Sequence, residues 1–104
     1  MRTAEQVLAL LRAIYPYLAT EYGVKKLGIF GSYAKGSPSE GSDVDILVEF
    51  ARPVGFRFFE FVDHLEHLLG SRVDVLTPTG LRGIRVPHVA QDILESVVYV
   101  NTDG

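Results

Sequence analysis

Apolar residues recur at helical spacing from the start of the chain: Val7, Leu10, Leu11, Ile14 and Leu18 fall on one helix face. Thr3 with Gln6 three positions on is the pattern of a capping box, so the first element is predicted to be an amphipathic helix beginning there. Pro16 removes one N–H and crowds the preceding turn, which predicts a kink or two short helices meeting at that point, and Gly23 is the expected stop. Lys25 to Phe30 then reads as a strand with Leu27 and Ile29 on one face, and Tyr33 to Lys35 as a short helical piece. The stretch from Gly36 to Ser42, rich in Gly, Ser and Pro, is the clear loop.

Asp43 to Phe50 is the second predicted strand. After the link Arg52-Pro53-Val54-Gly55, the residues Phe58, Phe61, Val62, Leu65, Leu68 and Leu69 mark a helical stripe that ends at Gly70 and must cover the sheet. Arg72 to Leu76 forms a short third strand closed by the turn residues Thr77-Pro78-Thr79-Gly80. Leu81 to Val86 has no convincing period. Pro87 opens a last helix with Val89, Ile93, Leu94 and Val97 facing inward, and Val98-Tyr99-Val100 reads as an edge strand. The fold expected is α/β: a mixed sheet of three or four strands, with helices mainly on one face.

Composition narrows the function. A chain of 104 residues, 47% apolar and 22% charged, is an ordinary globular domain, and residues 1–104 are read as one. The net charge of −3 argues against direct nucleic-acid binding, which needs a clustered positive surface, but still allows nucleotides carried with a metal. With no cysteine, disulfides and thiolate metal sites are excluded. No apolar run approaches membrane-spanning length, the first residues do not read as a signal peptide, and the cytoplasm is the expected compartment.

The candidate chemistry lies between Leu27 and Glu49. Gly31-Ser32 would set bare N–H groups at the start of a helical turn, where their partial positive charge suits a phosphate. Asp43 and Asp45, two apart, point both carboxylates to one face of a strand. If the third strand lies beside the second, about 4.8 Å away, Asp74 joins them, because Val73 and Val75 point to the opposite face. Each motif alone is weak; their order is what carries the signal.

Oxygen-only ligands of this kind select magnesium, or manganese, and such ions can activate an attacking hydroxyl and neutralise a leaving pyrophosphate. In that scheme Asp43 and Asp45 hold metal. Asp74 holds a second ion or accepts the incoming hydroxyl's proton, and Ser32 with its backbone grips the β- and γ-phosphates. The histidines suit a bland account: His64 and His67 fall on the polar face of the long helix near Glu60 and Asp63, where surface pairing is expected rather than zinc binding, and His88 has no assigned role. Phe56, Phe58, Phe59 and Phe61 are expected mostly in the core, with Phe56 or Phe59 able to stack on a base or face a partner. Arg82 and Arg85 carry no assignment.

Gly31-Ser32, ten residues, then Asp43-Val44-Asp45 followed by Ile46-Leu47-Val48-Glu49-Phe50, resembles the signature of the minimal nucleotidyltransferase (MNT) family, within the DNA polymerase β-type superfamily. The resemblance continues through Val73-Asp74-Val75-Leu76-Thr77-Pro78 to Ser96-Val97-Val98-Tyr99-Val100. It implies an antitoxin beside a HEPN-domain ribonuclease toxin, in a hetero-oligomeric complex, that transfers AMP from ATP to a toxin tyrosine. It also implies metal aspartates at Asp43 and Asp45, a third carboxylate at Asp74, and nucleotide binding at Gly31 and Ser32. Lys35 stands where relatives carry arginine, which implies triphosphate contact there. Gly83 and Pro87 interrupt what is commonly a more continuous helical stretch. Two other readings differ in class: an antitoxin acting by binding alone, and a small-molecule transferase of the aminoglycoside type, which needs a further substrate domain.

Overall fold

A computed structural model describes residues 3–34, 43–78 and 87–100, without the side chains of Ser32 and residues 87–90. Lys35, the loop from Gly36 to Ser42, Thr79, Gly80 and Leu81 to Val86 with Arg82 and Arg85 lie outside the described residues, as do the side chains of His88 and Val89.

The first helix, α1 (Ala4–Tyr22), opens with the expected box: Thr3 Oγ1 accepts from the Gln6 N–H at 3.1 Å, and Gln6 Oε1 accepts from the Thr3 N–H at 2.9 Å. One helix runs through Pro16 rather than two meeting there. Leu11 before the proline and Leu18 after it are both fully buried in the same core, so packing holds the two halves in line despite the lost hydrogen bond. Gly23, at φ 72°, donates its N–H to Ala19 O and turns the chain straight into β1 (Val24–Phe30).

After α2 (Gly31–Ala34) come β2 (Val44–Phe50), α3 (Arg57–Leu69), β3 (Val73–Leu76), α4 (Pro87–Ser96) and β4 (Val98–Tyr99). The sheet order is β3-β2-β1-β4, antiparallel across β2-β1 and β1-β4 and parallel across β2-β3. A parallel pair needs a crossover, and α3 supplies it.

Alternation along the strands divides the residues between two faces. Leu27 and Ile29 stand opposite Val48 and Ile46, and these pack with Val44 against Val7, Leu11 and Leu18 of α1 and Phe61, Leu65 and Leu69 of α3. This is the core. Phe61 anchors it, with its ring 5.5 Å from Tyr22 and 5.3 Å from Phe50. Outside it, Arg57 ties α3 to α1: its guanidinium lies 2.7 Å from Glu21, 3.1 Å from Glu60 and 4.7 Å above the Tyr22 ring. Among the described residues no helix is long and apolar enough to cross a membrane.

Two expectations are corrected. Phe56 and Phe59 are 92% and 71% exposed, not core. The helix begins only at Arg57, leaving Phe56 before it, and Phe59, two residues from Phe61, turns to the other side of the helix. Leu94 is likewise 52% exposed rather than inward, because α4 stands over the sheet's outer face at the rim of a cavity. His67 does pair with Asp63, at 3.5 Å, while His64 stacks on Tyr17 with ring centroids 5.4 Å apart.

Candidate active site

The outer face of the sheet carries the chemistry. On it Phe30, Asp45 and Asp74 form one row across β1, β2 and β3, since Phe30 stands opposite Asp45 and Asp45 opposite Asp74. Val73 and Val75 turn the other way, against the core, so the three-strand geometry sets Asp74 on the same face as Asp45. Asp43 immediately precedes β2 and is exposed, as is Asp74, whereas Asp45 is half-buried.

Burial pushes the Asp45 carboxyl above the ordinary carboxylate range, and the negative charges of Asp74 and then Asp43 push it further. The two outer acids are therefore close enough to act on the middle one. Among the described residues none of the three has an ion-pair partner, and no three acids are grouped tightly enough to hold an ion as they stand. The donor set nevertheless fits a hard divalent cation: oxygen-only, anionic, and electrostatically unfavourable without a counter-charge. Drawing Asp43 and Asp74 in toward Asp45 would complete it.

The Gly-Ser corner reaches the same place from β1. Gly31 begins α2 at φ 71°, a conformation that L side chains rarely adopt. A Cβ there would run into the Asp45 carboxylate, whose Cγ would lie 3.1 Å away. Glycine is thus required twice over, by backbone conformation and by the closeness of the acid. The Ser32 backbone follows Gly31 in α2, while its side chain, like Lys35, lies outside the described residues.

Sequence reasoning missed what surrounds the acids. Phe30 and Leu47 are buried yet belong to the outer face, apart from the main core. Glu49, Lys26 and Tyr99 share that face. The signal available was the alternation Asp45-Leu47-Glu49 along β2, which puts an apolar and then an acidic residue on the face already chosen by the aspartates.

A mixed sheet backed by helices, with paired acids at a strand head beside a glycine corner, is the architecture of a nucleotidyltransferase. The nucleotidyltransferase domain model matches residues 11–100, and the chain belongs to that family as one of its minimal members. It is 41% identical over 101 residues to the protein adenylyltransferase MntA of Thermococcus cleftensis, covering 96% of this chain and 98% of that protein. A solved structure described as a minimal nucleotidyltransferase superposes with a TM-score of 0.69 at 30% identity, covering 93% of this chain and 95% of that one. The complex of the tri-AMPylated HEPN toxin of Shewanella oneidensis with its MNT antitoxin shares the fold, with a TM-score of 0.54 at 21% identity over 94% of this chain and 68% of that one.

Proposed function

We propose that this nucleotidyltransferase moves AMP from ATP to a tyrosine of a HEPN ribonuclease toxin encoded beside it, and so neutralises the toxin. The observation that carries this reading is the register of Asp45 against Asp74 beside a glycine corner that only a residue without Cβ can form. The 41% identity to a protein adenylyltransferase supports the acceptor class, and the shared fold with an MNT antitoxin supports the partner.

Asp43, Asp45 and Asp74 would hold magnesium, which supplies charge neutralisation for the triphosphate and acidifies the attacking hydroxyl. The Gly31-Ser32 backbone orients the β- and γ-phosphates, with Lys35 contributing charge to them. In the transfer the tyrosine oxygen bonds to the α-phosphorus, the bond from that phosphorus to the bridging oxygen breaks, and pyrophosphate leaves. The phenolic proton passes to a carboxylate oxygen of Asp74, exposed on the neighbouring strand.

Co-expression with the partner followed by intact mass measurement tests this. The partner should gain whole AMP units, and Asp45→Asn should abolish the gain while the complex still forms. A second reading, neutralisation by binding alone, is favoured by one observation: Phe56 and Phe59 offer apolar surface of the kind a partner covers. If the toxin stays silent beside the Asp45→Asn chain and carries no AMP, that second reading holds.

A further inference from the structure

The strands that carry the acids are held unequally. Asp45 belongs to a strand with neighbours on both sides, β1 and β3, and the residues flanking it, Val44 and Ile46, are fully buried. Asp74 has less support. β3 is four residues long, lies at the edge of the sheet with β2 as its one neighbour, and none of its residues is fully buried. Elements with few buried contacts open and shift at low cost, so the sheet alone is a loose mount for this carboxylate.

One contact from outside the sheet tightens it. The Val44 N–H donates to Arg72 O at 3.0 Å, which turns the backbone of Arg72 toward β2 and that of Val73, one residue on, out to the open edge. There the Val73 N–H donates to Glu66 Oε2 at 3.1 Å. The carbonyl of Glu66 accepts from the Gly70 N–H at 2.8 Å, where Gly70, at φ 65°, ends α3. Backbone and side chain of one residue thus grip both ends of the turn that carries the chain from helix to strand. Among the described residues Glu66 makes no ion pair, since its neighbour His67 takes Asp63 instead. Its half-buried carboxylate is committed to the amide, and such a charge-assisted bond is roughly twice as strong as a neutral one.

We infer that Glu66 is a positioning residue for AMP transfer, a role that rests on the one proposed above for Asp74: by holding the Val73 N–H it fixes the backbone one residue before Asp74 and so sets where that carboxylate meets the metal and the incoming hydroxyl. With the backbone pinned, Asp74 has only its side-chain torsions left with which to close on Asp45. Glu66 itself touches no reacting group. It belongs to α3, which packs on the core face, whereas Asp74 stands on the outer one. Precision matters here because a misplacement of about 1 Å in a reacting group can cost about a hundredfold in rate.

Reach and charge separate by substitution. Glu66→Gln keeps an oxygen at the same distance and loses the charge, Glu66→Asp keeps the charge and falls one methylene short, and Glu66→Ala loses both. The test measures kcat and KM for ATP in transfer to the partner at saturating magnesium, and hydrogen exchange of the Val73 amide in the full chain. Glu66→Ala and Glu66→Asp should speed that exchange by about tenfold or more. They should lower kcat by about tenfold or more with KM for ATP within about twofold, and Glu66→Gln should restore most of both losses. A purely structural role would instead lower the midpoint of thermal unfolding and leave kcat of the folded protein unchanged well below it. Wild-type kcat in Glu66→Asp, or Glu66→Gln impaired as far as Glu66→Asp, would overturn the inference and leave the transferase reading intact; if Glu66→Ala fails to fold, that pair decides alone. A wild-type chain that transfers no AMP to the partner would overturn both.

Discussion

Replacing Asp45, one of the acids proposed to hold metal, should make the protein without metal more stable. Asp45 is half-buried, and its carboxyl is held above the ordinary range by burial first, then by Asp74 and Asp43. The proton is therefore bound more tightly in the folded chain than in the unfolded one. At neutral pH, above the raised value, the ionised Asp45 weakens the fold by its full share; that share shrinks as pH falls through the folded value and is gone below the unfolded one. Asparagine has the same shape and no charge, so Asp45→Asn removes the burden. Relief of an unpaired charge at a half-exposed, solvent-screened side chain is worth something on the order of 0.5–1 kcal/mol. For a chain of this length that is a rise in Tm of roughly 2–6 °C. Thermal unfolding at pH 7.5 in a chelator should show it, and the two proteins should converge near pH 4. Magnesium with a non-hydrolysable ATP analogue should reverse the order, since a ligand at a hundred times its Kd adds about 2.7 kcal/mol to the wild-type chain only. A variant no more stable than wild type in chelator, or an advantage undiminished at pH 4, would refute the electrostatic account.

Other outcomes follow from the same geometry. Gly31→Ala forces a left-handed alanine and a clash with the Asp45 carboxylate; urea denaturation should show a loss of about 1–2 kcal/mol or more, with transfer to the partner falling further than stability. Phe61→Ala empties the centre of the core, and a cost of about 3–5 kcal/mol, much of the stability of a small domain, should appear as loss of the cooperative transition by circular dichroism. Thr3→Ala removes one half of the box at the start of α1 and should cost about 0.5–2 kcal/mol in denaturant midpoint. The backbone carbonyl and charge of Asp63 hold the His67 imidazolium's pKa above its ordinary value; its contribution is complete at low pH and is lost as pH rises through that raised value. His67→Ala should flatten that part of the stability profile, followed by nuclear magnetic resonance titration and unfolding in parallel.

The parts of this fold that were legible in the sequence are those set by local periodicity. The Thr3 box, the stripe of α1, the Phe61-Leu65-Leu69 stripe of α3 and the pairing of Asp43 with Asp45 each depend on residues a few positions apart. Asp74 was legible only on condition that β3 lay beside β2. Alternation shows which way a side chain points within its strand but not which strand is its neighbour, and here the neighbour is fixed by the α3 crossover. The same limit hid the outer-face row of Leu76, Leu47, Gly28 and Tyr99, because Gly28 and Tyr99 meet through a pairing between distant strands. The phenylalanines show the opposite error. An aromatic-rich run suggested burial, but a helix has one inward stripe, and Phe56 and Phe59 fall off it.

One strand thus writes two messages in alternate letters. Ile46 and Val48, with Val44 before them, face the core, while Asp45, Leu47 and Glu49 face outward. The two sets share a backbone but point to opposite faces of the sheet, so their energetics should separate. Trimming Val48 to Ala should destabilise the chain and leave AMP transfer to the partner largely intact; Asp45→Asn should abolish transfer without destabilising it. Asp45 joins the two, since its charge weakens the empty fold and its carboxylate is what a divalent ion would bind. The carboxylate of Asp45 is therefore held in an unfavourable state by a core strong enough to bear it, and a cation arriving there would relieve the burial and like-charge repulsion that raise its pKa.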